Sequence, residues 1–476
     1  MNFFNHLNDL NDLNDLSELV NILDTLEFED EPSIFDETNA LELLESAFYL
    51  MEDYINENPT AISEPYFEED FLEDIKEIFY IQFEEEILNS EWIEDDLNEL
   101  LKEAFAIFIT TFYPERSLNI QEITYPISCE LNDMDMLEKN EKNKIIQDKI
   151  EYLKQKPQPE QRTNDWYVFR HNLITASNAY KAFESQNAIN QLIYEKCQPL
   201  KTNEDDNKNK MVNINTPFHW GQKYEPLSVM LYENMYNTKV ADFGCIQHDK
   251  YKFLGASPDG INVDVNSQRY GRMLEIKNIV NREITGIPKK EYWVQMQMQM
   301  EVCDLDECDF LETKFIEYEN ETAFFKELEQ DDTTNGTLDK KGLLLYFHNN
   351  KESKPFYLYK PLNIVKKEDI LKWEEDAIDL YQSPEYSLLY IQTIYWKLEK
   401  LSCVFVSRNK NWFKNNIQAL ENVWNTIEKE RVTGYEHRAP NKKQKMNKES
   451  FNLIDNYFNS TTTMKNGCLI KVNKID

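Results

Sequence analysis

Nearly all the net negative charge of this chain lies in one segment. Residues 1–140 carry 38 Asp and Glu against 4 Lys and Arg, a net of −34, whereas the remainder of the 476 residues holds 49 against 47. A chain-wide charge of −36 therefore describes neither part, and the sequence must fold as two bodies of different character. The acidic segment has no glycine and no Lys or Arg before Lys76. Apolar residues recur at helical spacing in LELLESAFYLMEDYI and LNELLKEAFAIFITTF, which predicts an acidic all-α domain over residues 1–137. The repeat NHLNDLNDLNDL (5–16) places leucine at every third position, a spacing that drifts around a helix and gives only a weak amphipathic signal.

Residues 138–160 are polar and mixed in charge, and Pro157 and Pro159 stop any helix there, so this stretch reads as a linker. From 161 to 432 strand-like and helix-like segments interleave. Short strands fit ADFGCIQ, KFLGAS, RMLEIKNI, CDFLETKFIEY, GLLLYFHN and PFYLYKP. Helices fit 219–236, 288–303, 366–382 and 410–430, with another after ITAS. That alternation predicts an α/β core, a mixed sheet flanked by helices. Residues 433–476, with the basic run HRAPNKKQKMNK, read as a flexible tail, a nuclear localisation signal or a nonspecific phosphate contact. The seven scattered cysteines form no CxxC pair, a pattern of free thiols in a reducing compartment. There is no signal-peptide pattern, and the apolar run AFAIFITTF is too short to span a bilayer. The expectation is a soluble intracellular protein without a membrane partner, with cytoplasm and nucleus left open.

Four short motifs follow one another in the second part: HWGQKYEP (219–226), LGASPDGI (254–261), MLEIKN (273–278) and YWVQMQMQM (292–300). Asp259 sits in SPDG, by itself a turn signal in which Pro sets φ, Asp caps and Gly accepts a positive φ. The strand-like flanks place that turn where a sheet can present the carboxylate to a cleft. Glu275 and Lys277 lie two apart on a strand, so they share one face while Leu274 and Ile276 share the other. Alone, that pattern is an ordinary exposed strand face. Together, two carboxylates suit Mg²⁺ or Mn²⁺, with the Ile276 carbonyl as a further oxygen ligand. The lysine steadies a nucleophilic water and developing negative charge. Glu225, near the start of a helix, is a third carboxylate that suits a second ion. The set is that of a metal-dependent phosphodiesterase acting on nucleic acid.

Gln295, Gln297 and Gln299 alternate with methionine. Period two fits a strand, but Gln and Met form helices well and only Val294 is β-branched, so a helix is preferred. Not all three glutamines can then face one site, and Gln297, on a stripe with Trp293 and Glu301, is the choice. Upstream, RTNDWYVFRHNLITAS (162–177) carries Arg162, Trp166, Arg170, Thr175 and Ser177. Ser177 fits an N-cap, and a helix start with a nearby arginine suits a phosphate.

Arg162, Trp166, Arg170 and ITAS, then WGxxYE, SPDG, LEIK and the Q-x-Q helix, resemble in order the YqaJ-type viral recombinase family. That family stands with the lambda-type phage exonucleases in the PD-(D/E)xK nuclease superfamily. The resemblance covers roughly residues 160–320 and leaves 1–140 outside. It implies a restriction-endonuclease-like fold and an exonuclease that degrades duplex DNA from its 5′ end, for recombination or replication. By resemblance, Asp259 and Glu275 are metal ligands, Lys277 the catalytic lysine and Glu225 the active-site helix glutamate. Arg170, Ser177, Ser257 and Gln297 correspond to holders of the 5′-terminal phosphate. The implied partners are duplex DNA ends and a single-strand annealing protein. The phage enzyme is a toroidal trimer, which raises an oligomer as an expectation here.

A competing reading is a DNA-end binding or partner-recruiting protein on a nuclease-like scaffold, against which the completeness of the motifs speaks. The acidic segment has three readings: a DNA mimic over the cleft, a hook for a basic partner, or a solvated domain that aids solubility.

Overall fold

The structure, a computed structural model, describes residues 37–58, 61–64, 66–82, 94–117, 133–159, 163–200, 214, 216–334, 340–349, 354–439, 463–465 and 468–470. The Leu-Asn-Asp repeat, Arg162 and most of the basic tail lie outside these residues.

Helices α1 (Glu37–Glu57), α2 (Phe67–Gln82) and α3 (Glu94–Phe112) come first. On α2 the buried residues are Phe67, Phe71, Ile75 and Phe79. Their spacing of four is a single apolar stripe, which closes on Phe48 of α1 and Phe105 of α3. The Phe71 and Phe105 rings stack at 4.9 Å. This is the expected helical unit. Its core combines phenylalanine with leucine, isoleucine, alanine and methionine.

The expected linker is instead largely a helix, α4 (Asp133–Gln155). It ends just before the two prolines, as anticipated, but Ile150 and Leu153 are buried in the main core. After it come α5 (Asn164–His171), β1 (Ile174–Thr175), α6 (Ala176–Ala179), α7 (Gln186–Cys197), α8 (Pro217–Tyr236), β2 (Val240–Ala241), β3 (Ile246–Gln247), β4 (Leu254–Ala256), β5 (Gly260–Asn262) and β6 (Met273–Asn278). Next are α9 (Lys290–Cys303), β7 (Glu307–Glu317), α10 (Glu321–Thr334), β8 (Lys341–Asn349), β9 (Lys354–Tyr359), α11 (Lys367–Gln382), β10 (Leu389–Ser407) and α12 (Lys410–Thr433). The residues 463–465 and 468–470 pair as a short hairpin.

Seven strands form one mixed sheet in the order β2-β5-β6-β7-β10-β8-β9, and β1-β4-β3 form a small second sheet. In the large sheet only β6 and β7 run parallel, joined through α9, and the remaining pairs are antiparallel. Helix α8 covers one face, where Leu227, Leu231 and Tyr232 meet Leu274, Ile276, Leu311, Leu344 and Trp396. Helices α9 and α12 cover the other, against Met273, Phe310, Val404 and Val406. The expected α/β class, a mixed sheet between helices, is the observed one. The five described cysteines with side-chain detail are buried free thiols. Among the described residues no helix is long and apolar enough to cross a membrane.

Candidate active site

The strand alternation in MLEIKN has the expected outcome. Met273 packs into the core under α9, and Leu274 and Ile276 into the one under α8. Glu275 and Lys277 therefore share the α9 face. Strand β5 stops pairing β6 at Gly260 opposite Leu274, so the β6 edge beyond that point has no backbone partner from β5. The Asp259 carboxylate takes its place: the Ile276 N–H donates to Asp259 Oδ2 at 2.8 Å. A strand residue directs its N–H and C=O to the same side, so the Ile276 carbonyl opens on the same space. The glycine of SPDG is not at positive φ. A Cβ there would lie 2.1 Å from Val240 Cγ1, so Gly260 is set by the close approach of β2.

Glu275 is fully buried and its carboxylate is held on both oxygens. Lys277 Nζ and Gln295 Nε2 donate to Oε1, the latter at 2.7 Å, and Gln299 Nε2 donates to Oε2 at 2.7 Å. Gln299 also reaches the Ser257 carbonyl at 3.3 Å, which ties α9 to the turn that carries Asp259. Burial works against the Lys277 charge, but Glu275 and then Asp259 outweigh it and hold the ammonium above the ordinary lysine range. Burial, then Glu275 and Glu225, push the Asp259 carboxyl well above the usual carboxylate range. Three negative groups around one space, one with raised proton affinity, is a donor set that a hard divalent cation relieves. Among the described residues no three acidic, His or Cys side chains are drawn into a closed ligand shell. The reason is visible in the bonds: Lys277, Gln295 and Gln299 hold Glu275, while the backbone of β6 holds Asp259.

Gln297 is not brought to this site. It points through the other side of α9, where Nε2 donates to the Ser407 carbonyl at 2.8 Å and Oε1 accepts the Asn409 N–H at 2.6 Å. The helix expectation holds, but the glutamines at the carboxylate are Gln295 and Gln299, an i, i+4 pair on one face. Residues 296–300 of α9 are all buried, so no polar face existed for pattern reading to find.

Next to the carboxylates, a cavity of about 190 Å³ is lined by Trp166, Arg170, Thr175, Ala176, Ser177, Glu225, Ser257, Asp259 and Gln295. The Arg170 guanidinium donates to Ser257 Oγ and to Ser177 Oγ, each at 3.3 Å, and lies 4.5 Å from the Trp166 ring. Burial pulls it below the ordinary arginine range, with Cys245 and Tyr167 partly offsetting. The groups bonded to it are hydroxyls, an environment that invites an anion. Thr175, not Ser177, is the N-cap of α6, in a capping box with Asn178. Ser177 sits two residues further in, where its hydroxyl accepts from Arg170.

Of the residues singled out in sequence, Arg170, Ser177, Glu225, Ser257 and Asp259 line this one cavity. Ile276 and Lys277 line its continuation along β6, and Glu275 lies buried behind them, bonded to Lys277 and to Gln295 of the cavity wall. Gln297 stands apart.

Residues 165–306 match the YqaJ-like viral recombinase domain, the family that the motif order resembles. The chain is 31% identical over 310 residues to an uncharacterized protein of Acanthamoeba polyphaga mimivirus, a match over 59% of this chain and 54% of that protein. It thus spans about half the length of this curated relative. Among solved structures, an alkaline exonuclease from Laribacter hongkongensis is similar with a TM-score of 0.32 at 16% identity, over 56% of this chain and 94% of that one. The same enzyme in complex with dAMP is similar with a TM-score of 0.31 at 17% identity, over the same shares of each chain.

Proposed function

We propose that the chain is a metal-dependent nuclease, an exonuclease that processes duplex DNA ends in viral recombination or replication. The observation that carries this reading is a shared cavity. Asp259, Glu275 and Lys277 meet at one end of β6, and the Arg170, Ser177 and Ser257 cluster borders the same space. The recombinase-domain match over these residues supports the same reading.

Asp259, Glu275 and the Ile276 carbonyl would hold Mg²⁺ or Mn²⁺, with Glu225 placed for a second ion; such ions neutralise charge on a phosphoryl oxygen and acidify a bound water. Lys277, whose ammonium form Glu275 and Asp259 favour, would donate toward the attacking water and the developing negative charge. Gln295 and Gln299 keep Glu275 in one orientation, which fixes the reacting geometry. Arg170, stacked on Trp166, and the hydroxyls of Ser177 and Ser257 would grip the terminal phosphate and so count the enzyme in from the strand end. Polarity from the 5′ end follows from the resemblance.

The test is incubation with end-labelled linear and closed circular duplexes, with and without Mg²⁺. Digestion of linear DNA alone, lost in Glu275→Ala and Lys277→Ala while both stay folded, is the expected result. Unchanged rates in either variant would remove this site from the reaction. Tight end binding without cleavage in Mg²⁺ or Mn²⁺ would favour an end-binding scaffold instead.

A further inference from the structure

Behind the part of the cavity wall that carries Arg170, two more cations gather, and the reaction as read so far gives them no role. Lys196, in the last turn of α7, is buried, and its Nζ donates to the Arg170 carbonyl at 2.8 Å. Arg431, in the last turn of α12, reaches the same place from the far end of the chain. Its Nε and Nη2 donate to the Lys196 carbonyl at 3.0 and 2.8 Å, Nη2 also donates to the His171 carbonyl at 2.8 Å, and Nη1 donates to Asn172 Oδ1 at 3.2 Å. The carboxyl ends of α5 and α7 are thereby locked together, with Arg170, Lys196 and Arg431 in one cluster.

What the cluster lacks is a negative charge. Among the described residues no carboxylate forms an ion pair with Lys196 or Arg431. Glu195, next to Lys196 in sequence, is bound to Lys181 at 2.9 Å, and Glu430, next to Arg431, is bound to Arg438. The Arg170 guanidinium has only hydroxyls to donate to, those of Ser257 and Ser177. Satisfying a carbonyl at a helix end does not call for a buried ammonium, because a neutral amide or hydroxyl donates as well. A buried cation without a counter-charge costs folding free energy unless something supplies one. Burial, then Arg170 and Arg431, work against the Lys196 charge, with Cys245 and Glu195 partly offsetting. The cavity in front of Arg170 is where a counter-charge can enter.

We propose that Lys196 is a specificity-determining residue: from behind Arg170 it supplies the further positive charge by which the cavity prefers a strand end that bears a phosphate to one that bears a hydroxyl. The proposal rests on the phosphate-gripping part of the nuclease reading. A terminal phosphate is close to a dianion above about pH 7, and the Arg170 guanidinium matches one of its two charges. A phosphate in the cavity favours the ammonium form of Lys196, so the complex binds more protons than the empty protein. Preference for the phosphorylated end therefore falls as pH rises from about 7 toward 9. The other groups that face Lys196 do not titrate in this window. Burial, with Arg431 and Lys196 beside it, holds the His171 imidazole below its ordinary range, and burial holds the Cys245 thiol above its own. Arg170 and Arg431 keep their charge throughout.

The test uses the full chain and duplexes that differ only in a 5′-phosphate or a 5′-hydroxyl. Binding is followed by fluorescence anisotropy in Ca²⁺ and cleavage as kcat/KM in Mg²⁺, both across this pH range. In the wild type the phosphate-to-hydroxyl ratio should fall about tenfold from the lower to the upper end. Lys196→Met, which keeps the aliphatic stem, should lower the ratio about tenfold at neutral pH and leave it flat with pH. Lys196→Arg, charged throughout, should hold the ratio at its neutral-pH level. A lysine that only satisfied the end of α5 would change both substrates in proportion and leave the ratio and its pH profile unmoved. The wild-type profile decides the matter by itself if the urea midpoint shows Lys196→Met to be unfolded. A ratio independent of pH in the wild type, or equal in wild type and folded Lys196→Met, would overturn the role of Lys196 and leave the nuclease intact. A pH-dependent preference for the phosphorylated end in Ca²⁺, by a chain that never cleaves in Mg²⁺, would keep the role of Lys196 and overturn the nuclease.

Discussion

Replacing Gln299 by leucine separates two glutamines that look alike in sequence. Gln299 Nε2 lies 2.7 Å from Glu275 Oε2, both groups are fully buried, and leucine is close to glutamine in volume, so the change deletes this bond and the longer one to the Ser257 carbonyl at 3.3 Å with little repacking. A hydrogen bond to a charged group contributes about 1.5–3 kcal/mol. At about 1.4 kcal/mol per factor of ten, its loss should lower cleavage roughly 10- to 100-fold. Part of that loss should be recovered at high Mg²⁺ if Glu275 is a ligand, because the metal then orients the carboxylate in place of the glutamine. Gln297→Leu should do the reverse. It strands the Ser407 carbonyl and the Asn409 N–H, which Gln297 now joins at 2.8 and 2.6 Å. That should cost about 2–4 kcal/mol of stability and leave the rate per folded molecule unchanged. The assay is the initial rate on an end-labelled duplex across Mg²⁺ concentrations, beside urea unfolding of each variant. A wild-type rate for Gln299→Leu, or a rate loss confined to Gln297→Leu at unchanged stability, would refute the placement of α9 against β6.

Two further outcomes follow from groups outside the reacting centre. Burial, with Arg170 and Arg431 beside it, pulls the Lys196 ammonium down to about 7. The unfolded chain therefore binds more protons between about pH 7 and 10, and stability rises with pH across that window. Lys196→Met should flatten the rise, as read from urea midpoints at pH 6 to 9, and identical slopes in the two proteins would contradict it. Arg116 is buried with the Ile62 carbonyl at 3.0 Å and Glu68 at 3.6 Å. Arg116→Met should cost about 3 kcal/mol and loosen the helical unit from the sheet, seen as earlier proteolytic release of residues 37–117. An unaltered digestion pattern would show that this contact does not hold the two bodies together.

Much of the site could be read before any coordinates, for physical reasons specific to its residues. Period-two alternation fixes which neighbours of Glu275 share its face, whereas Asp259 reaches them through the pairing of β5 with β6, where Gly260 of SPDG is already a strand residue. Which glutamine of α9 meets Glu275 is not legible in the sequence, because that helix is buried all round from 296 to 300. The face that meets Glu275 is decided by β6, not by polarity. Strand β10, 19 residues long and central to the sheet, gave no strand signal. It changes partners from β8 to β7 along its length and carries register shifts at Tyr390/Gln392 and Leu398/Lys400 that break the alternation. Helix α4 read as a linker because few of its residues touch the core; Ile150 and Leu153 are buried, and Ile146 sits against Gly271.

The account stands on one ion-binding space at the end of β6. A crystal of the protein soaked in Mn²⁺ and measured at the manganese absorption edge would test it most directly. The expected result is an anomalous peak bounded by Asp259, Glu275 and the Ile276 carbonyl, absent in Asp259→Asn. A peak elsewhere, or Mn²⁺-dependent cleavage that persists in Asp259→Asn with no density at β6, would contradict it.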